Sequence, residues 1–456
     1  MPEGLHEAVD LAGWGFIDDL YYVGSDHPEK GLMTKAASAV RADVDGLEET
    51  YRERVKQGRK VDAIRNVIET IKSKPIIDFL STHNIIPKYG FPVDVVELQV
   101  IHDSEAARRL DLQRDLKIAL SEYAPGSEVI AAGKIWESRY IKRVPQRSWL
   151  TYNYVICDNC HRYHRALSEL GTEFTTCKAC ESDLRRSKSR GTFIIPEFGF
   201  MTGRYDPKRV SEKRPRKTYT TRAYFSGESI PEKHLEIPLT DSVTLQAECA
   251  SHGKLAIINN GNKLKFHVCE SCGYAIPAGT VVSGKHKSGK HKSGKHKNAF
   301  GNDCSGQLNK VYDLGHEYQT DILKLEFEGY SNEDLSFWLS LLYALLDGLS
   351  IALGINRDDL DGVLYPGRGN LSEPALILFD DVPGGAGHVK RALEREETLL
   401  VIMKAAYQKL KACTCGAEQG HSSCYGCLRN YQNQFCHDQL DRRVVIDFLE
   451  SMKINT

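Results

Sequence analysis

The spacing of the cysteines constrains the fold of this chain more than any other feature of its sequence. The 456 residues include thirteen cysteines, and most of them occur in CxxC-type clusters. In the last cluster a Cys-Thr-Cys pair precedes a CxxC pair, and such tight pairs let two thiolates reach one tetrahedral ion. The cysteines at this zinc-ligand spacing are Cys413, Cys415, Cys424 and Cys427. We therefore expect the segment to fold around a metal ion.

A glycine-rich turn, residues 384–387, lies between an apolar run that ends at Phe379 and a helical pattern that continues to about residue 411. Glycine permits positive φ, and the free amides of a helix N-terminus suit a phosphate, so contact with DNA is one interpretation. The other is that the turn only packs the helix on its sheet, with Asp380 or Asp381 capping the amides. We favour the second, because these carboxylates would compete with a phosphate.

A zinc-ribbon pattern lies near the middle of the chain, where one CxxC pair follows another. The metal ion in such a module replaces the hydrophobic core that so short a segment lacks. Its expected ligands are Cys157, Cys160, Cys177 and Cys180. Because four thiolates complete a tetrahedral site, we expect His161 and His164 to be surface residues.

A third cluster supplies three thiolates, Cys269, Cys272 and Cys304, and so needs a fourth ligand. We prefer His296, the histidine nearest to Cys304 in the sequence. The alternatives that remain open are His286 and His291, with His267 and Cys249 as weaker candidates.

A threefold Ser-Gly-Lys-His-Lys repeat occupies residues 283–297, between the ligands of the third cluster. It contains Gly284, Gly289 and Lys290 at the spacing of a phosphate-binding loop. However, His291 stands where such a loop needs Ser or Thr, and neither a buried strand nor a helix is predicted around it. A short polar repeat instead predicts a flexible surface loop.

The distribution of apolar residues predicts a mixed α+β fold, in which zinc-ribbon-like β modules are followed by an α/β zinc-binding domain. We expect a helical region over residues 1–125, a β-rich region with two zinc modules over 126–312, and the α/β domain over 313–456. The main predicted helices cover about residues 43–74, 104–122, 335–353, 387–411 and 441–452. Strands are predicted within 126–142 and over about 315–327, 358–365 and 376–379.

Only one stretch of the chain is strongly basic. The whole sequence carries 60 basic and 61 acidic residues, so its net charge indicates no partner. Residues 185–222 contain twelve Lys or Arg and three acids, interleaved with aromatic residues, a mixture that suits phosphates and stacked bases of DNA. The DNA is expected to be single-stranded or to be contacted through its backbone. The residues predicted to contact it are Arg204, Lys208, Arg209, Arg214, Arg216, Lys217 and Arg222. A solvated loop is the equally weighted alternative.

The sequence predicts a cytoplasmic protein without a membrane segment. The first thirty residues lack the pattern of a signal peptide, and the apolar run 335–346 is ended by Asp347, too short to span a bilayer. In a reducing compartment, cysteine clusters bind metal more often than they form disulfides.

Several motifs together resemble the MrfA-type zinc-binding domain, which ends many superfamily 2 DNA helicases, including those of bacterial antiphage systems of the Druantia and DISARM kinds. The resemblance covers roughly residues 75–450. The motifs that carry it are residues 316–321, 379–387 and 424–433, with weaker support from 87–94 and 122–128.

The resemblance implies that the C-terminal cysteine cluster holds zinc, and that Cys436 lies outside this site. It also implies a helicase motor as partner, on the same or a neighbouring polypeptide. We find no Walker A loop with its Ser or Thr and no DExH box in the sequence. The chain therefore resembles the C-terminal half of such a helicase, either a split protein or a fragment, which cannot hydrolyse ATP alone.

Three functions remain open at this point. The first is a zinc-stabilised DNA-binding module that works with a helicase motor in DNA repair or antiphage defence. The second is a metal-dependent nuclease, because carboxylates at strand ends can hold magnesium. Its candidate residues are Glu317, Asp321, Asp380 and Asp381, assisted by Lys390. The third is a scaffold for a defence complex. Whether the chain is itself an enzyme is left undecided.

Overall fold

The computed structural model confirms a mixed α+β fold. It describes residues 31–83, 85, 94–159, 162–178, 180–210, 221–278, 296–366, 373–415, 422–452 and 454. The α-helices in these ranges are α1 (Leu32–Lys56), α2 (Asp62–Lys72), α3 (Ile76–Thr82), α4 (Glu105–Arg108), α5 (Leu116–Glu122), α6 (Leu335–Leu353), α7 (Glu396–Ala412) and α8 (Arg442–Ser451).

The strands of the described part fall into one large sheet and several small ones. They are β1 (Val95–Gln99), β2 (Gln113–Asp115), β3 (Glu128–Ala131), β4 (Lys134–Glu137), β5 (Tyr140–Ile141), β6 (Leu150–Ile156), β7 (Tyr163–Leu167), β8 (Arg190–Ile195), β9 (Phe200–Met201), β10 (Lys208–Arg209), β11 (Arg222–Phe225), β12 (Ile230–Pro238), β13 (Thr244–Asn259), β14 (Phe266–Val268), β15 (Ala275–Pro277), β16 (His296–Lys297), β17 (Asp303–Cys304), β18 (Lys310–Glu328), β19 (Leu360–Pro366) and β20 (Pro374–Asp380).

Strand β18 is the centre of the large sheet, whose order is β11-β13-β18-β8-β6-β7. It runs antiparallel to β13, from the Thr244–Glu328 pair to the Asn259–Leu314 pair. It also pairs in parallel with β8, and antiparallel with β14 and β20. The predicted boundary between residues 312 and 313 therefore falls inside a strand, where the sheet has no break. The division of the chain into three domains remains a prediction.

The longest apolar helix, α6, lies in the largest hydrophobic core. Asp334 caps its start by accepting a hydrogen bond from the Ser336 amide, and Gly354 ends it in the left-handed conformation. Its length and hydropathy are those of a membrane span, but 72% of its most apolar 18-residue segment is buried inside the fold. It packs on α7 so closely that a Cβ at Gly348 would lie 2.3 Å from the Ile402 carbonyl oxygen. This is the arrangement of a core helix.

Three of the predicted helices are wrong in extent. The helix over 43–74 is two helices, α1 and α2, because the chain turns at Gly58, which has a φ of 65°. The helix over 104–122 is α4, strand β2 and α5, and Asp115 starts α5 by capping the Lys117 amide. The helix over 387–411 is a 3-10 helix, Val389–Leu393, followed by α7 after an extended Arg395. In each case the apolar residues keep a helical spacing in the sequence although the backbone helix is interrupted.

Candidate metal centres

The C-terminal cysteine cluster has the geometry of a tetrahedral metal site. The Sγ atoms of Cys413 and Cys424 lie 3.6 Å apart, as do those of Cys415 and Cys427, and all four lie within 4.8 Å of one another. Four sulfurs bound to zinc at about 2.3 Å would be about 3.8 Å apart. The residues present therefore fit such an ion without rearrangement.

Backbone amides donate to two sulfurs of this cluster, although burial raises the pKa of the Cys415 and Cys427 thiols. The Gly426 amide donates to the Cys424 sulfur over 3.2 Å, and the Cys424 amide donates to the Cys427 sulfur over 3.1 Å. Burial alone would raise the pKa of the Cys424 thiol, but the Gly426 amide and the neighbouring cysteines lower it to about 7. The thiolate is the form that binds metal.

The core of the protein fixes the position of this cluster. Helix α7 ends at Ala412, so it delivers Cys413 directly to the site. Arg442, at the start of α8, donates to the Cys415 and Leu410 carbonyl oxygens. Cys436 is buried close by, but its sulfur donates to the Asn433 carbonyl oxygen and is not part of the cluster.

The third cysteine cluster also closes into a four-ligand group, which consists of Cys269, Cys272, His296 and Cys304. The His296 Nε2 atom lies 3.2 Å from the Cys272 sulfur, and the two remaining sulfurs lie 3.8 Å apart. Pairing of β16 with β17 sets His296 opposite Cys304, and Tyr274 stacks on the imidazole ring at 5.1 Å. The structure therefore brings the preferred fourth ligand to the three thiolates.

The alternative ligands of this cluster have different positions. The described residues exclude 283–295, and His286 and His291 fall in that range. Cys249 is buried elsewhere, beside the Val389 and Lys390 carbonyl oxygens. Most of the threefold repeat likewise lies outside the described residues.

The zinc-ribbon cluster is described for three of its cysteines, Cys157, Cys177 and Cys180, because Cys160 and His161 fall outside the described residues. The sulfurs of Cys157 and Cys180 are 3.6 Å apart. The prediction that His164 is a surface residue is wrong: it is 8% exposed, and its Nε2 atom lies 3.3 Å from the Cys177 sulfur. The prediction assumed that four thiolates complete the metal site. The spacing of the cysteines gives no indication that the side chain of His164 in β7 is buried.

The amides of the glycine-rich turn are occupied by carboxylates. Asp380 accepts hydrogen bonds from the amides of Ala386, His388 and Val389, at 2.6–3.0 Å. Asp321 accepts the Gly387 amide at 3.0 Å. The favoured interpretation of this turn, a structural turn capped by an aspartate, is the one that the contacts support. A phosphate would have to displace both carboxylates.

The carboxylates proposed for a nuclease are also engaged in pairs rather than gathered around an empty site. Glu317 accepts from the Tyr163 hydroxyl at 2.7 Å and pairs with Arg165 at 3.0 Å. Asp321 pairs with Lys390 at 2.9 Å, and Asp381 pairs with Lys117. Such ion pairs and caps account for the acidic residues at these strand ends, and no observation favours a metal-dependent nuclease.

The predicted DNA-contacting residues are only partly described. Arg214, Arg216 and Lys217 fall outside the described residues. Arg204 pairs with Asp103, and Lys208 pairs with Glu128 at 2.6 Å, so part of their charge is used within the chain. Arg209 is exposed beside Lys208 in β10, whereas Arg222 begins β11 in the large sheet. Contact of these residues with DNA stays a prediction.

Deleting residues 283–292, two of the three repeats, is expected to leave both folding and metal content unchanged. Doubling a loop changes its closure free energy by only about 0.6 kcal/mol, and all four ligands of the cluster remain. Elemental analysis and thermal unfolding would measure the two properties, with His296→Ala as the matched control that should lose one metal ion. Loss of an ion on deletion would instead assign the fourth ligand to His286 or His291.

The fold and its cysteine clusters define a metal-binding α+β protein, and sequence comparison identifies the domain that carries the C-terminal site. Residues 341–428 match the MrfA Zn-binding domain family. The match covers most of α6, all of β19, β20 and α7, and all four cysteines of that site. This match agrees with the resemblance over the segment that carries the C-terminal site.

A longer similarity links the chain to a Druantia protein. It is 26% identical over 411 residues to the Druantia protein DruE of Escherichia coli (strain UMEA 4076-1), and the alignment covers 81% of this chain. The chain spans about a fifth of that relative, since 21% of its length is covered. A crystal structure of the DUF1998 helicase MrfA bound to DNA matches 78% of this chain and 34% of its own, with 12% identity and a TM-score of 0.33.

Proposed function

We propose that this chain is a zinc-stabilised, DNA-binding module that works beside a superfamily 2 helicase motor in antiphage defence or DNA repair. The observation that carries the proposal is the complete four-cysteine site inside a domain that matches the MrfA Zn-binding family. The similarity to the Druantia protein DruE supports the defence context. The motor is expected on the same or a neighbouring polypeptide, in the cytoplasm.

Zinc is the metal that fits these donors best. Sites of four thiolates, or of three thiolates and one histidine, are typical structural zinc sites. The family that matches the C-terminal site is also named for zinc. In such closed sites the ion has no open position for a substrate, so its contribution is to the fold. The three centres would then stabilise loops at the surface of the sheet and leave DNA contact to neighbouring side chains.

DNA binding is supported by the composition of residues 185–222, where Lys and Arg outnumber acids and aromatic residues intervene. Cations that neutralise phosphates release condensed counterions, so affinity falls steeply with salt. Arg209 and Arg222, both exposed, are the described members of the set without an ion pair in the described part of the chain.

Replacing Arg214, Arg216 and Lys217 together by Ala is expected to weaken DNA binding to a similar extent for every sequence tested. Each lost phosphate contact should reduce the slope of log affinity against log salt by about 0.7–0.9. Fluorescence anisotropy with labelled oligonucleotides at several salt concentrations would measure both. Arg52→Ala is the control, because this exposed arginine lies outside residues 185–222 and is paired with Glu48. If affinity and slope are unchanged in the triple variant, these three residues do not contact DNA and the DNA-binding site lies elsewhere in the chain.

A further inference from the structure

The surface beside the C-terminal metal site displays aromatic rings to solvent. Tyr425 lies in the CxxC turn and is 67% exposed, Tyr431 is 58% exposed, and Phe435 is 41% exposed. We call these three rings the aromatic face. The three rings lie within residues 425–435 of the chain. Large rings that serve only the fold are normally buried, so their exposure marks this segment as a candidate interaction site. The metal site gives these rings a fixed support without covering them.

Hydrogen bonds hold the segment that carries the aromatic face in one conformation. Asn430 and Asn433 each accept the backbone amide of the other at 2.8 Å. The His437 Nε2 atom lies 2.9 Å from the Asn433 side-chain oxygen, and the Tyr425 ring rests against the His437 ring at 5.4 Å. Rings fixed in this way lose little conformational freedom when a flat ligand stacks on them.

A cation from a different part of the chain borders the aromatic face. The Arg222 guanidinium lies 5.3 Å from the centroid of the Phe435 ring. Arg222 is exposed, forms no ion pair with another described residue, and is the last cation of the basic stretch 185–222. The face is thereby continuous with the segment to which we assign phosphate contacts. An exposed acid, Asp438, follows on the same 3-10 helix, so stacking rather than net charge carries the inference.

We propose that the aromatic face is a stacking platform for the bases of single-stranded DNA, with Arg222 beside it for the phosphate backbone. Single-stranded DNA exposes the flat faces of its bases, whereas a duplex buries them in its own stack. Rings that alternate with cations are the usual means of holding a single strand without reading its sequence. The inference rests on the proposed DNA-binding function and assigns it a location and a preferred form of DNA.

The test compares the whole chain with a Tyr425→Ala, Tyr431→Ala double variant, using an oligothymidine and an abasic oligonucleotide of the same length. Stacking contributes about 1–3 kcal/mol per base, so affinity for oligothymidine should fall at least about 30-fold in the double variant. On the abasic strand, the two proteins should bind equally. The matching Tyr→Phe double variant should retain affinity, because phenylalanine stacks as well. Phe300→Ala, which removes a 59% exposed ring elsewhere, should change nothing.

The outcomes separate this inference from the proposed function. If the unmodified chain binds neither oligonucleotide nor duplex DNA, the proposed function fails and this inference fails with it. If the unmodified chain binds DNA and the Ala double variant binds oligothymidine equally well, only the inference is overturned, and the rings are left to a protein partner. Metal content measured on each variant shows that the C-terminal site is intact. Should the Ala variant not fold, the unmodified chain still decides the inference, because equal affinity for oligothymidine and for the abasic strand would overturn stacking.

Discussion

Cys427→Ala is expected to remove one of three zinc equivalents and to destabilise the C-terminal half of the protein. Cys427 is 2% exposed, and its sulfur completes a site that fixes the end of α7 and, through Arg442, the start of α8. Structural zinc binds zinc-finger peptides with about 10–16 kcal/mol of free energy. Much of the fold here has its own core, so we expect a smaller loss, at least about 3 kcal/mol in the free energy of unfolding.

Cys436→Ala is the matched control for this variant. It removes another buried thiol from the same core, but one that lies outside the metal cluster. It should keep all three zinc ions and cost only about 1–2 kcal/mol, the usual effect of a small core truncation. Elemental analysis together with urea unfolding measures both properties. Equal zinc content in the two variants would contradict the assignment of Cys427 as a ligand.

Gly385→Ala is expected to lower the free energy of unfolding by about 2–5 kcal/mol while leaving DNA affinity unchanged. Gly385 has a φ of 66°, and a Cβ there would lie 2.3 Å from the Asp321 Oδ2 atom. The left-handed conformation costs an L-residue about 1–2 kcal/mol, and overpacking adds about 1–3 kcal/mol. Movement of Asp321 would also disturb its pairing with Lys390 and with the Gly387 amide.

Gly387→Ala separates the two contributions. Its φ is 72°, but a Cβ there meets nothing within 4 Å, so only the conformational cost of about 1–2 kcal/mol should appear. Chemical unfolding of both variants, alongside DNA titrations, gives the comparison. A Gly385→Ala protein that remained as stable as the parent but lost DNA affinity would revive the phosphate-binding interpretation of the turn.

Much of the C-terminal half could be predicted from the sequence, because its signals are local and strong. An apolar run with a capping aspartate predicts α6 from residue 335 to 353, and the structure places it over the same residues. The strands 376–379 and 358–365 appear as β20 and β19 with small shifts. The helices of the N-terminal half were harder to predict, because a helical period alone does not reveal a backbone break such as the one at Gly58 or the strand β2 within residues 104–122.

The candidate metal ligands could be grouped from the sequence only where thiolate spacing is short. CxxC pairs specify their own geometry, so the C-terminal cluster could be identified completely. The choice of His296 as fourth ligand was based only on its nearness to Cys304 in the sequence. In the structure, the pairing of β16 with β17 places His296 opposite Cys304. His164 was missed because its burial depends on how β7 packs in the large sheet, which is information that lies far from it in the sequence. The partners of Asp380 and Glu317 were unpredictable for the same reason.

The central position of β18 is expected to limit the folding rate of this protein. The strand pairs Asp313 with Phe193 and Ile322 with Phe379, residues that are far apart along the chain. Sheets with such non-local pairings have a high contact order, and they form in milliseconds to seconds or more slowly, whereas a short cysteine loop closes much faster. The apolar side of β18 is therefore exposed while its neighbours are still being assembled, and it is then prone to aggregation. A metal ion bound by Cys269, Cys272, His296 and Cys304 during synthesis would anchor the loop that precedes this strand before the sheet closes around it.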